Sequence, residues 1–337
     1  MEAAVVHDWG GPEQLVVETV PDPVPGLGEV VVQLRASALN WHDVIIRQSG
    51  RGVGLPNILG LDGAGVRQDT GEEVVIYPCL NWGDDSAAPG PGFSILGDET
   101  DGTYAELIAV PEANLYAKPQ HLSWGEAAAL PCAALTAYRA MFTRANLRYG
   151  ETVLVFGAGS GVSTYAVLFG AAVGARVLVT SSSTDKIEAV RAIGAEGGFR
   201  YTESDWVEQV RAATDGGVDV IINGAGSTLP DAIACLKRGG RIAVFGSSAG
   251  RTATIEVPEL YFGQVSILGT TLGSPEDFRD MLNLVDTYRI RPLIDSEYPL
   301  SEIAKAHTRL ESRNHLGKLV ISHFDHCDSN GRVANDG

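Results

Sequence analysis

The sequence predicts an α/β protein of two domains, one of which is a doubly wound parallel sheet. The chain has 337 residues, and at roughly 150 residues per domain two domains are expected. Up to about residue 120, short apolar segments alternate with clusters of Gly, Pro and Asp, which is typical of antiparallel strands and turns. Beyond that point apolar strands alternate with longer helical segments, which indicates a parallel sheet.

The first domain, residues 1–120, contains four clear strand segments. They read LVVETV, EVVVQLRAS, EEVVIYP and TYAELIAV. The segments between them, such as PDPVPGLGE, are rich in residues that favour turns. A mainly β domain is therefore expected here.

The second domain, residues 121–274, is predicted to begin with a helix over SWGEAAALPCAALTAYRAMFT, with Ser123 as N-cap and Glu126 completing a capping box. Five strands are predicted in VLVFG, RVLVT, VDVIIN, RIAVFG and VSILGT. Residues 275–325 predict a helix followed by a strand, a helix and a strand, and the polar residues 326–337 are expected to form a flexible tail.

Composition argues against several classes of partner. The net charge of −17 disfavours nucleic acid and anionic membranes, since both attract basic surfaces. No segment reaches the roughly 18 apolar residues that a membrane helix needs, and the N-terminus does not resemble a signal peptide. The four cysteines are scattered without a CxxC pair. A reducing, cytoplasmic location is therefore expected.

The segment VLVFGAGSGVSTYAVLFGAAVGARVLVT predicts a dinucleotide site. An apolar strand runs into a turn and a helix, and a second apolar strand follows. Glycines at such a turn let the backbone approach a pyrophosphate, and the helix N-terminus directs free N–H groups at it. The predicted binding residues are Gly157, Ala158, Gly159, Ser160, Gly161 and Val162.

The end of the second strand indicates which dinucleotide binds. NAD sites usually place an Asp or Glu there to hold the ribose 2′-hydroxyl, whereas this chain has Thr180 followed by three serines. Ser181 and Lys186 would instead accept a 2′-phosphate, so NADPH is expected. Two alternatives remain: the serines cap the next helix, and Asp185 nearby is compatible with NAD.

The chain to about residue 324 resembles the zinc-free, quinone oxidoreductase-like branch of the medium-chain dehydrogenases/reductases. The segments that carry the resemblance are ASALNWHDVIIRQSG, PNILGLDGAG, DGTYAELIAVP, AAALPCAALTAYRAM, the glycine turn, GGRIAVFG and NHLGKLVI. The resemblance implies a GroES-like substrate domain from residues 1–120, completed by 275–325, and a Rossmann NADP-binding domain between them. It also places Tyr201, Gly246, Ser247, Asn314 and Lys318 around the cofactor.

The resemblance further implies that there is no catalytic metal. Zinc-dependent relatives carry Cys where this chain has Asn40, and a His-Glu pair where it has Leu61 and Asp62. Cys132 matches a third ligand position. An amide, an aliphatic side chain and one thiol do not make a tetrahedral zinc site.

Hydride addition to an electron-poor acceptor, such as a quinone or an enone, needs only hydrogen bonds to the oxygen that becomes negative. The resemblance implies that Asn40 is the donor and that Thr136 contacts the nicotinamide, and His42 is the candidate acid. A turn role for Asn40, packing for Thr136 and an exposed or packed position for His42 remain alternatives.

A second group of residues is assigned to the substrate pocket. Trp41 and Trp82 are candidates for an aromatic wall, with core packing as the alternative. Ile45 stands where quinone reductases of this branch often have Tyr, so a substrate-positioning hydroxyl is missing.

The expected function is therefore an NADPH-dependent, zinc-independent reductase of enones or quinones that acts on small electrophilic molecules. Two alternatives remain: a zinc-free alcohol or aldehyde oxidoreductase, and an NADPH-binding protein with little turnover. A homodimer is expected through the apolar edge strand VSILGT, since an exposed apolar edge invites pairing with a second copy.

Overall fold

A computed structural model describes residues 1–50 and 53–323 of the chain. The predicted tail, residues 326–337, lies outside the described residues. The chain divides into two compact units. The N-terminal unit comprises residues 1–132, 274–279 and 294–323, and the central unit comprises residues 133–273 and 280–293.

The elements are numbered along the chain. The strands are β1 (Glu2–Val6), β2 (Leu15–Thr19), β3 (Glu29–Ala38), β4 (Asn57–Ile58), β5 (Asp62–Arg67), β6 (Glu73–Ile76), β7 (Cys79–Leu80), β8 (Ser94–Ile95), β9 (Leu107–Pro111), β10 (Leu115–Ala117), β11 (Thr152–Val155), β12 (Arg176–Ser181), β13 (Gly197–Arg200), β14 (Val218–Asn223), β15 (Leu236–Val244), β16 (Ser266–Gly269), β17 (Ile294–Pro299) and β18 (Lys318–Ser322). The helices are α1 (Trp41–Ser49), α2 (Trp124–Ala128), α3 (Pro131–Tyr138), α4 (Gly161–Ala172), α5 (Thr184–Arg191), α6 (Trp206–Ala213), α7 (Leu229–Cys235), α8 (Val257–Gly263), α9 (Pro275–Thr287) and α10 (Ile303–Glu311). Short 3₁₀ helices span Pro12–Gln14, Glu112–Asn114 and Leu300–Glu302, and a π-helix spans Arg139–Arg144.

The N-terminal unit is built around a seven-stranded sheet. Its main path runs β10-β6-β5-β3-β18-β17, and β9 pairs with β3. A three-stranded sheet, β2-β1-β4, and the pair β7-β8 complete the unit. Strand β18 comes from the C-terminal return and inserts antiparallel beside β3, with Val320 opposite Ala38. The C-terminal return therefore completes the N-terminal sheet.

The central unit contains a six-stranded, fully parallel sheet in the order β13-β12-β11-β14-β15-β16. Strand β11 is buried at all four positions, as expected for a parallel strand with helices on both faces. The strand order reverses between β11 and β14, and ligands of such sheets bind at this switch point, outside the carboxyl ends of the strands. The predicted doubly wound parallel sheet is confirmed.

Local structure departs from the sequence-based expectation in three places. The first predicted helix of the second domain is divided into α2, α3 and the π-helix, although the capping box of Ser123 and Glu126 forms as expected. Helix α2 packs on β3 and β5, so residues 121–132 belong to the N-terminal unit. Strand β13 has the sequence GGFR and was not predicted, because it lacks an apolar run.

No helix in the described part of the chain is both long and apolar enough to cross a membrane.

Candidate active site

Three neighbouring strands of the N-terminal unit bring a lysine, an asparagine and an aspartate together. Lys318 begins β18, Asp62 begins β5, and Asn40 follows the end of β3, which lies between the other two strands. The antiparallel register places Ala38 opposite both Asp62 and Val320. The three side chains are buried, with exposed fractions of 3%, 0% and 8% for Lys318, Asp62 and Asn40.

The Lys318 ammonium is fully hydrogen-bonded. Its Nζ donates to the carbonyl of Leu39 at 2.7 Å, to Asn40 Oδ1 at 2.7 Å and to Asp62 Oδ2 at 2.9 Å. An ammonium has three N–H groups, so every donor of Lys318 is used inside the N-terminal unit. The predicted contact of Lys318 with a cofactor is therefore not supported by this geometry.

Asn40 is held at its backbone as well as at its side chain. Its backbone N–H donates to Asp43 Oδ2 at 2.7 Å, and the hydroxyl of Tyr104 donates to the same oxygen at 2.7 Å. Burial raises the pKa of the Asp43 carboxyl to about 6. The Asn40 Nδ2 lies 3.4 Å from the carbonyl of Ala38, which is a long contact for a hydrogen bond.

Asp62 links this centre to helix α3. Its Oδ1 accepts the backbone N–H of Cys132 at 2.7 Å. Burial raises the pKa of the Asp62 carboxyl, and the Lys318 ammonium opposes that shift. Burial also raises the pKa of the Cys132 thiol well above its ordinary value. The thiol is therefore protonated at neutral pH and is not poised as a nucleophile.

Within residues 1–50 and 53–323, no group of three or more His, Cys, Asp and Glu side chains is arranged to hold a metal ion. The donor set at the expected ligand positions gives a chemical reason. Asn40 is an amide, Leu61 has no donor atom, and Cys132 alone offers a thiol. The Lys318 ammonium also lies 2.7 Å from Asn40 Oδ1, where its charge would repel a metal cation. Zinc independence itself stays a prediction.

Helix α1 begins directly after Asn40 and separates its residues into two faces. Asp43, Val44, Ile46 and Arg47 are buried, whereas Trp41, His42 and Ile45 are not. Trp41 and Ile45 are one helical turn apart and share a face. The face on which three predicted site residues lie is thus turned away from the core.

Two of these residues have charged partners that the sequence did not indicate. His42 Nε2 lies 2.8 Å from Asp98 Oδ1, which fixes the orientation of the ring and would stabilise an imidazolium. The Arg313 guanidinium lies 4.9 Å from the centroid of the Trp41 ring, within the range of a cation–π contact. Asp98 and Arg313 lie far from α1 in the sequence, so the sequence alone does not pair them with His42 and Trp41.

Trp82 is only 3% exposed. Its ring packs edge-on against Phe93 at a centroid distance of 5.5 Å, and its Nε1 donates to the carbonyl of Asp85. The ring therefore belongs to the core of its own loop, and the predicted role as an aromatic wall for a substrate is not supported.

In the central unit, the predicted cofactor residues lie at the carboxyl ends of four parallel strands. The glycine turn follows β11, Ser181 ends β12, Tyr201 follows β13, and Gly246 and Ser247 follow β15. Because the carboxyl ends of parallel strands lie at one edge of a sheet, these residues share that edge. Asn223 Oδ1 accepts the backbone N–H groups of Ala225 and Gly226 and so fixes the turn after β14.

The glycine turn fits a pyrophosphate. Gly157 has φ +85° and Gly159 has φ +111°, a conformation that glycine adopts without strain. A Cβ built on Gly157 would meet no atom within 4 Å, so the approach to this backbone is open. Helix α4 starts at Gly161 and spans 12 residues, so its first-turn N–H groups, including that of Val162, lack carbonyl partners within the helix. Ala158 precedes them and donates its own N–H to the Thr180 carbonyl.

Ser163 lies in the first turn of α4, beside the glycine turn. Its Oγ lies 2.8 Å from Ser160 Oγ and donates to the carbonyl of Phe156 at 3.4 Å, and its backbone N–H donates to Ser160 Oγ. The serine is thus accommodated in the helix–strand contact by hydrogen bonds.

The end of β12 carries hydroxyl groups and nearby cations. Ser181 is buried and its carbonyl accepts the N–H of Tyr201. Ser183 caps α5 by accepting the N–H of Lys186, so the capping alternative holds for Ser183. Arg200 lies opposite Ser181 in the register of β12 and β13. Sequence reasoning missed Arg200 because the strand that carries it was not predicted.

The remaining predicted residues lie in different units. Thr136 is buried on α3 in the central unit. Asn314 is exposed in the N-terminal unit, between α10 and β18, and its N–H donates to Ser312 Oγ. Their predicted contacts with the cofactor stay predictions.

Comparison with known proteins identifies close likenesses for both units. The family model of the alcohol dehydrogenase GroES-like domain matches residues 26–120, and the model of zinc-binding dehydrogenases matches residues 161–287. These matches confirm the predicted pairing of a GroES-like domain with a Rossmann domain.

Individual relatives cover nearly the whole chain. A zinc-type alcohol dehydrogenase-like protein of Schizosaccharomyces pombe is 34% identical, over 94% of this chain and 98% of its own. The quinone oxidoreductase of Mus musculus is 30% identical, over 95% of this chain and 97% of its own. A solved structure described as an NAD-dependent alcohol dehydrogenase has a TM-score of 0.91 at 38% identity, covering 96% of this chain and 100% of that one.

Proposed function

The chain belongs to the medium-chain dehydrogenase/reductase family and is an oxidoreductase of that family; from this premise we propose that it transfers hydride from NADPH to an activated C=C bond or a quinone without zinc. The observation that carries the proposal is the centre formed by Lys318, Asp62 and Asn40. It sets an amide beside a buried ammonium where zinc-dependent members, according to the resemblance, bind their metal.

This centre favours acceptors that need no Lewis acid. When bound, the dinucleotide supplies a hydride that adds to an electron-poor carbon of the acceptor. The acceptor oxygen then becomes negative, and an N–H donor stabilises it. Asn40 Nδ2 makes only a long 3.4 Å contact to the Ala38 carbonyl, so a weakly bonded N–H is the donor proposed for the substrate oxygen. Alcohol oxidation would need a metal or a strong base to remove the hydroxyl proton.

Reduction also consumes one proton per hydride. His42 is the proposed acid, since its imidazole lies on the unburied face of α1 with its Nε2 against Asp98. A carboxylate on one ring nitrogen fixes the tautomer and stabilises the protonated ring. A proton lost from His42 to the reduced acceptor is replaced from water.

The preference for NADPH rests on the end of β12. No acidic side chain stands at Ser181, and the cations Lys186 and Arg200 lie on the adjoining helix and strand. A 2′-phosphate would gain charge-assisted hydrogen bonds from such groups. One structural relative is described as NAD-dependent, so the two coenzymes have to be compared directly.

The protein is further proposed to form a homodimer through the outer edge of the parallel sheet. Strand β16 is the last strand of that sheet, and among the described residues it pairs with β15 alone. The preceding helix α8 exposes Val257, Tyr261 and Phe262 by 62%, 53% and 64%. Unpaired strand edges and exposed apolar side chains favour association with a second copy.

The test is a turnover assay on chelator-treated protein. NADPH and NADH are each combined with a panel of 1,4-quinones, enones and aldehydes, and loss of the reduced coenzyme is followed by absorbance. Rapid oxidation of NADPH by an enone or quinone, unchanged by chelator, is expected. Turnover with aldehydes alone would instead favour the alcohol or aldehyde oxidoreductase, and tight NADPH binding without turnover would favour a binding protein. A requirement for added zinc would refute the proposal.

A further inference from the structure

The orientation of the Asn40 amide is determined by Lys318. An amide oxygen accepts hydrogen bonds and an amide nitrogen donates them, and an ammonium can only donate. Because Lys318 Nζ lies 2.7 Å from the Asn40 side chain, the atom that faces it must be Oδ1. The Nδ2 end then makes only a long contact, 3.4 Å, to the Ala38 carbonyl, so its N–H groups remain weakly bonded.

The lysine is itself held without freedom to turn. Two of its three donors are fixed by the carbonyl of Leu39 and by Asp62 Oδ2, and Leu39 donates its own N–H to the carbonyl of Leu319. Asp62 is fixed in turn by the backbone N–H of Cys132. The third donor of Lys318 therefore points at Asn40 from a rigid frame of strands β18, β3 and β5.

Building on the proposed function, we infer that Lys318 is a positioning residue that locks Asn40 with its amide N–H groups available to the substrate oxygen. If the amide turned over, Oδ1 would face the oxygen that becomes negative and would repel it. Lys318 also polarises the amide through Oδ1, which strengthens Nδ2–H as a donor. Asp62 balances the charge of Lys318, so the centre remains neutral.

A purely structural ion pair is the competing explanation, because removing one partner of a buried pair destabilises a protein whatever its function. The same unit offers a matched control. Lys118 is 7% exposed, pairs with Glu73 at 3.0 Å and lies 4.9 Å from the centroid of the Trp124 ring. Neither of these contacts involves Asn40, so Lys118→Met removes a buried lysine pair without touching the amide.

The first experiment reads the amide directly. Protein labelled with ¹⁵N-asparagine gives side-chain NH₂ signals, and Asn40→Ala identifies the signal of Asn40. In Lys318→Met this signal is expected to shift and to exchange with solvent about tenfold faster or more, because its hydrogen-bond frame is lost. Lys318→Arg, which keeps a cationic donor, should restore much of the protection, and Lys118→Met should leave the signal unchanged. An unchanged signal in Lys318→Met overturns the inference, whether or not the protein turns over any acceptor.

The second experiment is a double-mutant cycle in kcat. Lys318→Met is expected to lower kcat by between about 10-fold and 100-fold, which is less than or equal to the loss expected when the oxyanion donor itself is removed. KM and the affinity for NADPH should change little. In the Asn40→Ala background the same substitution should cost nothing further, because its effect passes through Asn40. Full additivity of the two losses would refute the positioning role. If Lys318→Met does not fold, Lys318→Met with Asp62→Asn removes both charges together and serves in both experiments.

The two proposals fail in different ways. Absence of turnover in the wild-type protein with every acceptor refutes the proposed function, while the asparagine signal still decides whether Lys318 locks the amide.

Discussion

Replacing His307 with phenylalanine is expected to weaken the dependence of the N-terminal unit's stability on pH. His307 lies on α10 and is 0% exposed. Its ring packs edge-on against Tyr104 at a centroid distance of 5.7 Å, and neither ring nitrogen has a hydrogen-bond partner among the residues described. Burial, assisted by the charge of Arg47, lowers the pKa of the imidazole from 6.5 to about 3.

The direction of the effect follows from the two pKa values. Between pH 6.5 and pH 3 the His307 imidazole binds a proton in the unfolded chain but not in the folded protein. The free energy of unfolding therefore falls as the pH falls through this range. Above pH 6.5 the contribution is complete. Linkage gives a loss of about 2 kcal/mol between pH 7 and pH 5, rising to about 4 kcal/mol at pH 3. His307→Phe keeps an aromatic ring against Tyr104 and removes this loss.

Urea titrations at pH 7 and pH 5, followed by tryptophan fluorescence, measure the difference. Four of the five tryptophans, at positions 9, 41, 82 and 124, lie in the same unit as His307. Two other groups also respond in this range: burial lowers the pKa of His323 to about 3 and raises that of Asp43 to about 6. They act in opposite directions, and both are present in the wild type and the variant, so they cancel in the comparison.

The stability of the wild type should therefore fall by about 2 kcal/mol more than that of His307→Phe between pH 7 and pH 5. His7→Phe removes a half-exposed histidine and controls for the loss of one imidazole; this variant should keep the wild-type dependence. Equal slopes for wild type and His307→Phe would show that the buried ring takes up a proton in the folded state, and the reasoning from burial would be wrong.

Three further outcomes are expected. Asn40→Ala should lower kcat about 100-fold, because it removes one donor to a developing oxyanion. Asn114→Ala removes an equally buried asparagine and should leave kcat within about twofold of the wild-type value at substrate saturation. Similar losses in both variants would indicate general damage to the unit. Arg200→Glu should weaken NADPH binding about tenfold or more and leave NADH binding nearly unchanged. Calorimetric titration with both coenzymes measures the two affinities. An equal loss of affinity for NADPH and NADH would show that Arg200 only supports the fold. Ile267→Lys places a charge on the edge strand β16 and should shift a dimer to monomer in sedimentation velocity; an unchanged dimer would place the interface elsewhere.

Most of the parallel sheet could be predicted because its strands are apolar on both faces. Strands β11, β12, β14, β15 and β16 all contain short apolar segments rich in Val, Ile or Leu. Such segments are typical of parallel strands that are buried on both faces. Strand β13 could not be predicted in this way. Its sequence, GGFR, has two glycines and one aromatic residue, and it forms because β12 offers an edge for pairing.

The helix before the Rossmann sheet illustrates a second limit. Its start could be predicted, since Ser123 and Glu126 satisfy backbone N–H groups locally. The position of the break between α2 and α3 was not predicted from the sequence. Pro131, which begins α3, disfavours helical conformation at the residue before it. The interruption leaves Cys132 in the first turn of a new helix, where its backbone N–H is free to bond Asp62.

The same limit explains why the contacts of Lys318 could not be predicted from the sequence. Lys318 is separated from Asp62 by 256 residues and from Asn40 by 278, so their contact depends on the strand order β5-β3-β18. In the sequence a lysine at the start of an apolar strand reads as a solvated edge charge or a cofactor ligand. In the structure β17 covers the outer side of β18, so the ammonium is buried and requires an anion, which Asp62 supplies. Its remaining donors are satisfied by the Leu39 carbonyl and by Asn40, and the identity of the Asn40 atom that faces the ammonium follows from the chemistry of the amide.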